Sequence, residues 1–327
     1  MNILNVYLNI LKCRLLSQTP LALTHLVTSL CNCKCKTCDL WKKSSEYKND
    51  LPKEEIFKML KDAKKSGIIS YTAWGGEPLL CKDLPEILKF AKEQELITTV
   101  ITNGFLLKDR CNEILPFLDF LIVSIDSNDY LHDKMRGVRG LRKRAIEGIK
   151  LSKKSKTKII INSVVSKLNL DKIEGLLKLS KELDIPITFE PMEIIEGYNE
   201  QFRPTEKELK KVFSKIIKFK KAGYRIGNSF EYLKNFSKQK KYVCHAPKCY
   251  ITVDTRGNIS SCVGSLNKIW GNIKNKSFKE IFRNKKFKEF CKEVEKCNKC
   301  NVSCVIETSL AYSLSPLYFL DKAENLL

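Results

Sequence analysis

The sequence predicts an α/β fold, a partial (β/α)6 TIM-like barrel followed by a small C-terminal cysteine-rich α+β domain. Three observations predict it. Short β-branched or apolar runs alternate with amphipathic helical stretches through residue 191, chemically distinctive motifs fall at the ends of those runs, and the alternation then yields to a cysteine-dense region. Successive β-then-α units call for a parallel sheet with helices outside it. Six units rather than eight leave the barrel open on one side, and ligands of such sheets bind at the carboxyl ends of the strands.

The strand runs are "LTHLVTS" (23–29), "IISYTAW" (68–74), "LITTVIT" (96–102), "FLIVSID" (120–126), "KIIINSVV" (158–165) and "IPITFEP" (185–191). Between them "PKEEIFKMLKDAKKSG" (52–67) opens with Pro and closes with Gly, as helices do. "KDLPEILKFAKEQE" (82–95) and "LDKIEGLLKLSKEL" (170–183) repeat apolar residues at helical spacing. Ahead of the barrel (21–200) stands an apolar helix within residues 1–20, "ILNVYLNILKCRLL", which either lies on a membrane surface or packs across the barrel bottom. A basic helical linker (201–240) leads to the cysteine region (241–310), where "DTRGN" reads as a hairpin turn, and an apolar tail (311–327) follows. The cysteine region looks too poor in apolar residues to fold without a metal.

Hydrophobic residues make up 43% and charged residues 29%, an ordinary globular balance. No run of about 18 uncharged apolar residues is present, and the start lacks the charge and cleavage site of a secretory signal, so a cytoplasmic location is expected. The 14 cysteines cluster, four in positions 31–38 and seven in 244–304, which favours metal over a disulfide framework. The net charge is +22, and residues 203–241 hold 13 Lys or Arg against 3 Asp or Glu. That surplus suits a membrane surface or another anionic partner, or simply decorates solvated helix faces.

"TSLCNCKCKTCDLW" follows the first strand, with Cys31, Cys35 and Cys38 in the spacing C-x3-C-x2-C. Thiolates this close can each take one iron of a [4Fe–4S] cube, and three of them leave a fourth iron open. Cys33 inside the loop leaves another register conceivable, as well as a four-cysteine zinc site, although structural zinc usually pairs two distant knuckles. The spacing resembles the signature of the radical S-adenosylmethionine superfamily. The resemblance implies that the open iron chelates the methionine part of S-adenosylmethionine, and that an electron delivered through the cluster cleaves the sulfonium to a 5′-deoxyadenosyl radical. It also implies an external one-electron reductant of the ferredoxin or flavodoxin type. Relatives often carry an aromatic residue before the last cysteine; here Thr37 stands there and Trp41 follows.

Further motifs lie at later strand ends. "GGEP" (Gly75, Gly76, Glu77, Pro78) ends the second strand, where glycines let backbone groups approach a ligand that a Cβ would block. In the family this motif contacts the methionine amino group. "TNG" with Asn103 ends the third strand, and "SID" with Ser124 and Asp126 ends the fourth; relatives place Ser and Asp near the ribose, and turn capping is the plainer reading. Arg136, in "HDKMRG", can offer a fork to the methionine carboxylate or be a surface arginine. Asn162 lies on the fifth strand where relatives place a polar residue near the cofactor. Glu190 ends the sixth strand and can face substrate.

Cys244, Cys249 and Cys262 frame the hairpin, and Cys297, Cys300 and Cys304 follow, with Cys291 in a Lys-rich helical stretch. The pattern C-x12-G-x4-C followed by C-x2-C looks like the SPASM or twitch extension of radical enzymes. That likeness implies one auxiliary [4Fe–4S] cluster held by four of those six cysteines; a zinc ribbon is the structural alternative. The expected function is therefore reductive cleavage of S-adenosylmethionine and hydrogen abstraction from a peptide, small-molecule or lipid precursor. The alternative from another class is a zinc-dependent nucleic-acid-binding protein, which would leave "GGEP" and the polar strand ends unexplained.

Overall fold

The computed structural model describes residues 8, 10–11, 13–14, 19–238, 242–262, 268–297 and 300–326. Six strands run in chain order, β1 (Ala22–Thr28), β2 (Ser70–Gly75), β3 (Ile97–Thr102), β4 (Phe120–Ser124), β5 (Lys158–Val165) and β6 (Ile187–Pro191). Every adjacent pair among them is parallel, as the β-then-α order requires. The connections carry α1 (Lys53–Lys65), α2 (Leu84–Glu93), α3 (Leu107–Ile114), α4 (Leu131–Arg136), α5 (Leu141–Ser152) and α6 (Ile173–Leu183).

Strand residues alternate in burial because successive side chains point to opposite faces. On β5, Ile159, Ile161, Ser163 and Val165 are buried toward the helices, joining a core that includes Leu60, Ile87 and Leu177 from α1, α2 and α6. The other face is only half-buried. It presents Ser124, Asn162 and Thr188 in register as a short polar row with Glu190 two residues further along β6, while Thr24, Thr72 and Thr99 pair nearer the amino ends of β1 to β3.

Beyond the barrel come α7 (Glu206–Lys221), α8 (Phe230–Ser237), α9 (Ala246–Cys249), β7 (Tyr250–Val253), β8 (Asn258–Ser260) and β9 (Ile269–Asn272). Helices α10 (Phe278–Arg283), α11 (Lys285–Val294), α12 (Ser303–Tyr312) and α13 (Pro316–Leu326) complete the chain. The expected hairpin is present, β7 and β8 pairing antiparallel around Asp254–Gly257. Two features add to the expectation of a small cysteine-rich domain with little apolar content. Strand β7 pairs parallel with β1, so one nine-stranded sheet runs from β6 to β9. The region also shares an apolar core of its own, including Phe290, Val294, Val305, Tyr312 and Tyr318, with Ile10 and Cys13 from the amino end. The expected helix over 3–16 lies largely outside the described residues; within it Arg14 Nη1 donates to the Tyr312 carbonyl at 3.3 Å.

The basic segment is mostly α7, opened by a Thr205–Glu208 capping box. Its Val212, Phe213 and Ile216 face inward while Lys207, Lys210, Lys211, Lys215 and Lys218 point to solvent. Lys220 is the exception, buried and paired with Asp321 of α13 at 2.8 Å. Among the described residues no helix is long and apolar enough to cross a membrane.

Candidate active site

The cysteine loop, residues 29–39, leaves the carboxyl end of β1 with no regular structure beyond a short turn, so its backbone groups need partners elsewhere. Four segments supply them. Leu30 O accepts from Glu77 N at 2.7 Å, just past β2. Asn103, after β3, donates from Nδ2 to Asn32 Oδ1 at 2.7 Å. At the end of α4, Arg136 O and Met135 O accept from Lys34 N (3.0 Å) and Lys36 N (2.8 Å). Past β6, Tyr198 Oη donates to Cys35 O (2.6 Å) and Asn199 Nδ2 to Thr37 O (3.0 Å).

The glycines of "GGEP" serve this docking. A Cβ on Gly76 would stand 2.1 Å from Leu30 O, and one on Gly75 would stand 2.8 Å from Thr28 O. The close neighbour of both glycines is the backbone entering the cysteine loop. Gly137 acts likewise: its left-handed φ of 69° closes α4, and a Cβ there would meet Lys34 O at 2.8 Å.

Glu77 is 1% exposed. Its Oε1 accepts from Leu79 N (3.1 Å) and Thr102 Oγ1 (2.5 Å), its Oε2 from Asn103 N (2.8 Å). Burial pushes its carboxyl above the usual range, and these three donors oppose the shift. The carboxylate thus fastens the end of β2 to the end of β3, while Pro78 opens a buried 3-10 turn.

Asp126 follows β4 and is buried. Its Oδ2 accepts from Arg136 Nε at 2.8 Å, its Oδ1 from Val164 N at 3.0 Å, and its own N–H donates to His132 Nδ1. This turn toward β5 ends β4 at Ser124, two residues earlier than the sequence pattern predicts. Arg136 is largely buried; Asp126 and then Cys35 offset its burial and hold it charged. Ser124 is opposite Asn162 in register, and Asn162 bonds Glu190 Oε1 (Nδ2, 2.8 Å) and Thr188 Oγ1 (Oδ1, 2.8 Å).

Within the loop Cys33 is 1% exposed, whereas Cys31, Cys35 and Cys38 are half-buried. Contacts with the Cys31 and Cys35 thiols, and then burial, raise the Cys33 thiol and keep it protonated. The Cys33 contact brings Cys35 down to about 7, with Arg136 assisting against burial; burial carries Cys38 up to about 11. Among the described residues no three His, Cys, Asp or Glu side chains converge as ligands of a single ion. A cube takes each thiolate on a different iron, and three half-buried thiols on one loop fit that donor set.

The second group divides. The thiols that act on Tyr242, adding to burial in raising its hydroxyl, are Cys244, Cys300, Cys297 and Cys262. Cys304, two residues from Val302 at the head of α12, is exposed and lies next to Ser303. Cys249 turns instead to Thr308 O at 3.4 Å, with Cys13 nearby. Helix α12 crosses from β6 to the region before β7: Ser303 Oγ donates to Glu190 Oε2 (2.7 Å) and Ser309 Oγ accepts from His245 N (2.9 Å).

Asn32, Tyr198, Asn199 and Glu193 were not singled out by the sequence. Tyr198 and Asn199 lie in an irregular segment without periodicity, and only the fold brings them to the loop. Trp41 likewise meets this segment, its Nε1 donating to Tyr198 Oη at 3.2 Å.

Residues 26–180 match the Radical SAM superfamily and residues 194–317 match a domain of unknown function, DUF3463. The chain is 30% identical over 162 residues to the Fe-coproporphyrin III synthase of Methanosarcina barkeri, covering 49% of this chain and 41% of that protein. It thus spans less than half the length of that curated relative. Among solved structures, Streptococcus suis SuiB bound to S-adenosylmethionine superposes with a TM-score of 0.70 at 19% identity, over 84% of this chain and 68% of that one. Native anSMEcpe with bound AdoMet and the Cp18Cys peptide gives 0.68 at 21% identity, over 93% of this chain and 97% of that one. The family implies a [4Fe–4S] cluster and S-adenosylmethionine as its working cofactors. The stretch from β1 to α6, with the cysteine loop seated at its strand ends, thus carries a radical SAM domain.

Proposed function

We propose that the chain cleaves S-adenosylmethionine reductively at a [4Fe–4S] cluster held by Cys31, Cys35 and Cys38, and uses the resulting radical to abstract hydrogen from a substrate. The observation that carries this reading is the seating of the cysteine loop: motifs from β2, β3, α4 and the segment past β6 all fasten it at the carboxyl end of the sheet. When bound, the cluster and cofactor supply the electron transfer and the radical chemistry. The protein's own part is positional. Gly75, Gly76, Glu77, Pro78 and Asn103 form the wall beside the loop, and Ser124 and Asn162 stand on the half-buried row where the nucleoside can lie. Arg136, held charged by Asp126, places a fixed positive charge beside the Cys35 thiolate.

The substrate, a peptide, small-molecule or lipid precursor, lies in this reading over the same row toward Thr188 and Glu190. SuiB bound to its precursor peptide SuiA shares the fold, which makes a peptide one member of that set. Electrons come from an acidic one-electron carrier of the ferredoxin or flavodoxin type, and exposed Lys34, Lys36, Lys42 and Lys43 around the loop suit such a partner. One auxiliary [4Fe–4S] cluster, in a twitch-like arrangement, is held in this reading by four of Cys244, Cys249, Cys262, Cys297, Cys300 and Cys304. We place the enzyme in the cytoplasm, where its thiols stay reduced.

Anaerobic purification with iron, sulfide and zinc analysis tests the assignment. Two four-iron clusters give about eight irons per chain, and loss of the auxiliary site by Cys244→Ala with Cys262→Ala leaves about four. Stoichiometric zinc without iron contradicts the reading and favours the zinc-binding alternative.

A further inference from the structure

The segment from Glu190 to Asn199 touches both cysteine regions. At its near end Tyr198 Oη donates to Cys35 O at 2.6 Å and Asn199 Nδ2 to Thr37 O at 3.0 Å. Asn199 is fully buried and ties the segment to itself as well, Nδ2 reaching Glu193 O (2.9 Å) and Oδ1 accepting from Ile195 N (2.8 Å). Tyr198 is fixed in turn by Trp41 Nε1 at 3.2 Å and by the Lys42 ammonium 4.1 Å from its ring centre. At the far end Glu190 Oε2 accepts from Ser303 Oγ at 2.7 Å, and Glu193 Oε1 lies 3.8 Å from Cys300 Sγ.

An irregular loop whose carbonyls are bonded by one buried and one half-buried side chain is held in one conformation only while those donors stay in place. Both donors here sit on a short segment whose other end is bonded to the C-terminal cysteine segment. We propose that residues 190–199 form a strap that positions the cysteine loop and registers it against the C-terminal cysteine region, with Tyr198 and Asn199 as positioning residues. This rests on the proposed function for what the loop carries, but not for the mechanical link itself. A displacement at residues 300–303 reaches the Cys35 and Thr37 carbonyls through the strap. The Tyr198 hydroxyl also points a positive dipole end at the Cys35 backbone, which favours the more reduced, more negative state of a group bound there.

Two readouts test it on the full chain. Amide hydrogen exchange of the metal-free protein is followed at Lys34 and Lys36, with the amides of β3 and β4 as the folding control. Asn199→Asp keeps the acceptor for Ile195 N but loses the donor, and Tyr198→Phe keeps the ring but loses the hydroxyl. Each is expected to speed the loop amides about tenfold, the factor for one ordinary buried hydrogen bond, with the control amides unchanged. Glu190→Ala touches none of the loop and is expected to speed the same amides severalfold. In reconstituted protein, Tyr198→Phe moves the midpoint potential of the cluster signal that Cys35→Ala abolishes to a more negative value. Loop amides at the wild-type rate in both near-end variants, or a potential that does not move, overturn the positioning role. An unchanged loop in Glu190→Ala overturns the link between the two regions. The exchange measurement needs no cluster, so a failure of the proposed chemistry stays distinguishable from a failure of the strap.

Discussion

Glu77 shows how much one side chain at this site has to carry. Its carboxylate takes three donors from two strand ends while almost wholly buried. In Glu77→Ala those donors lose a charged acceptor in a place water does not reach, a cost of about 3 kcal/mol or more, to be read from urea unfolding. An unchanged urea midpoint would show that the carboxylate is not the fastening described. The buried imidazoles make a second residue-level prediction. Burial first, with Arg136 adding for His132, lowers His132 to about 4, and burial lowers His25 to about 3. Unfolded histidine titrates near 6.5, so between about pH 6.5 and 4 the unfolded chain binds more protons and stability falls as pH falls. Each histidine contributes up to about 1.4 kcal/mol per pH unit in that window. His132→Asn, whose amide oxygen can replace Nδ1 as acceptor from Asp126 N–H, should flatten the stability–pH slope; an equally steep slope contradicts this. Residue identity was legible where chemistry demands a spacing, as at Cys31, Cys35 and Cys38. It was not legible for Asn199, because a single Asn in an irregular stretch carries no signal until the fold sets Thr37 in front of it.

At the scale of elements the barrel strands were readable because each alternates a helix-facing apolar residue with a half-buried one. Where β4 ends was not, since Asp126 leaves the strand to satisfy Val164 N and Arg136, partners about 40 and 10 residues away. The pairing of β7 with β1 was missed for the same reason: it joins residues 22–25 to 250–253, and nothing local in either segment announces it. The "GGEP" glycines were legible as a close approach, but what approaches is a neighbouring strand's backbone. Two alanine substitutions therefore act with opposite signs. Gly76→Ala drives a Cβ to 2.1 Å from Leu30 O, with backbone on both sides and no side chain to yield, and is expected to lower the melting temperature and empty the loop of iron. Gly175→Ala, on α6 with only Asn128 Cβ at 3.7 Å, is expected to raise the melting temperature through a gain of up to about 1 kcal/mol. Equal behaviour of the two would contradict the packing argument.

Over the whole molecule the sheet does not stop at the barrel edge. It continues through β7 to β9, while α12 bonds to β6 on one side and to the residues ahead of β7 on the other, so the cysteine-rich region is built into the barrel's open flank. The charge of +22 spreads over solvated faces such as that of α7, with exposed lysines also framing the cysteine loop. That architecture leaves one short polar row beside one loop of half-buried thiols, and the central claim is that sulfonium cleavage happens there. The direct measurement is formation of 5′-deoxyadenosine by anaerobically reconstituted, reduced protein given S-adenosylmethionine, for wild type, Cys35→Ala and Cys33→Ala. The account predicts product from wild type, none from Cys35→Ala, and retention of much of it in Cys33→Ala, whose side chain is buried inside the loop while the other three are half-buried. No product from iron-loaded wild type, or equal loss in both variants, would contradict it.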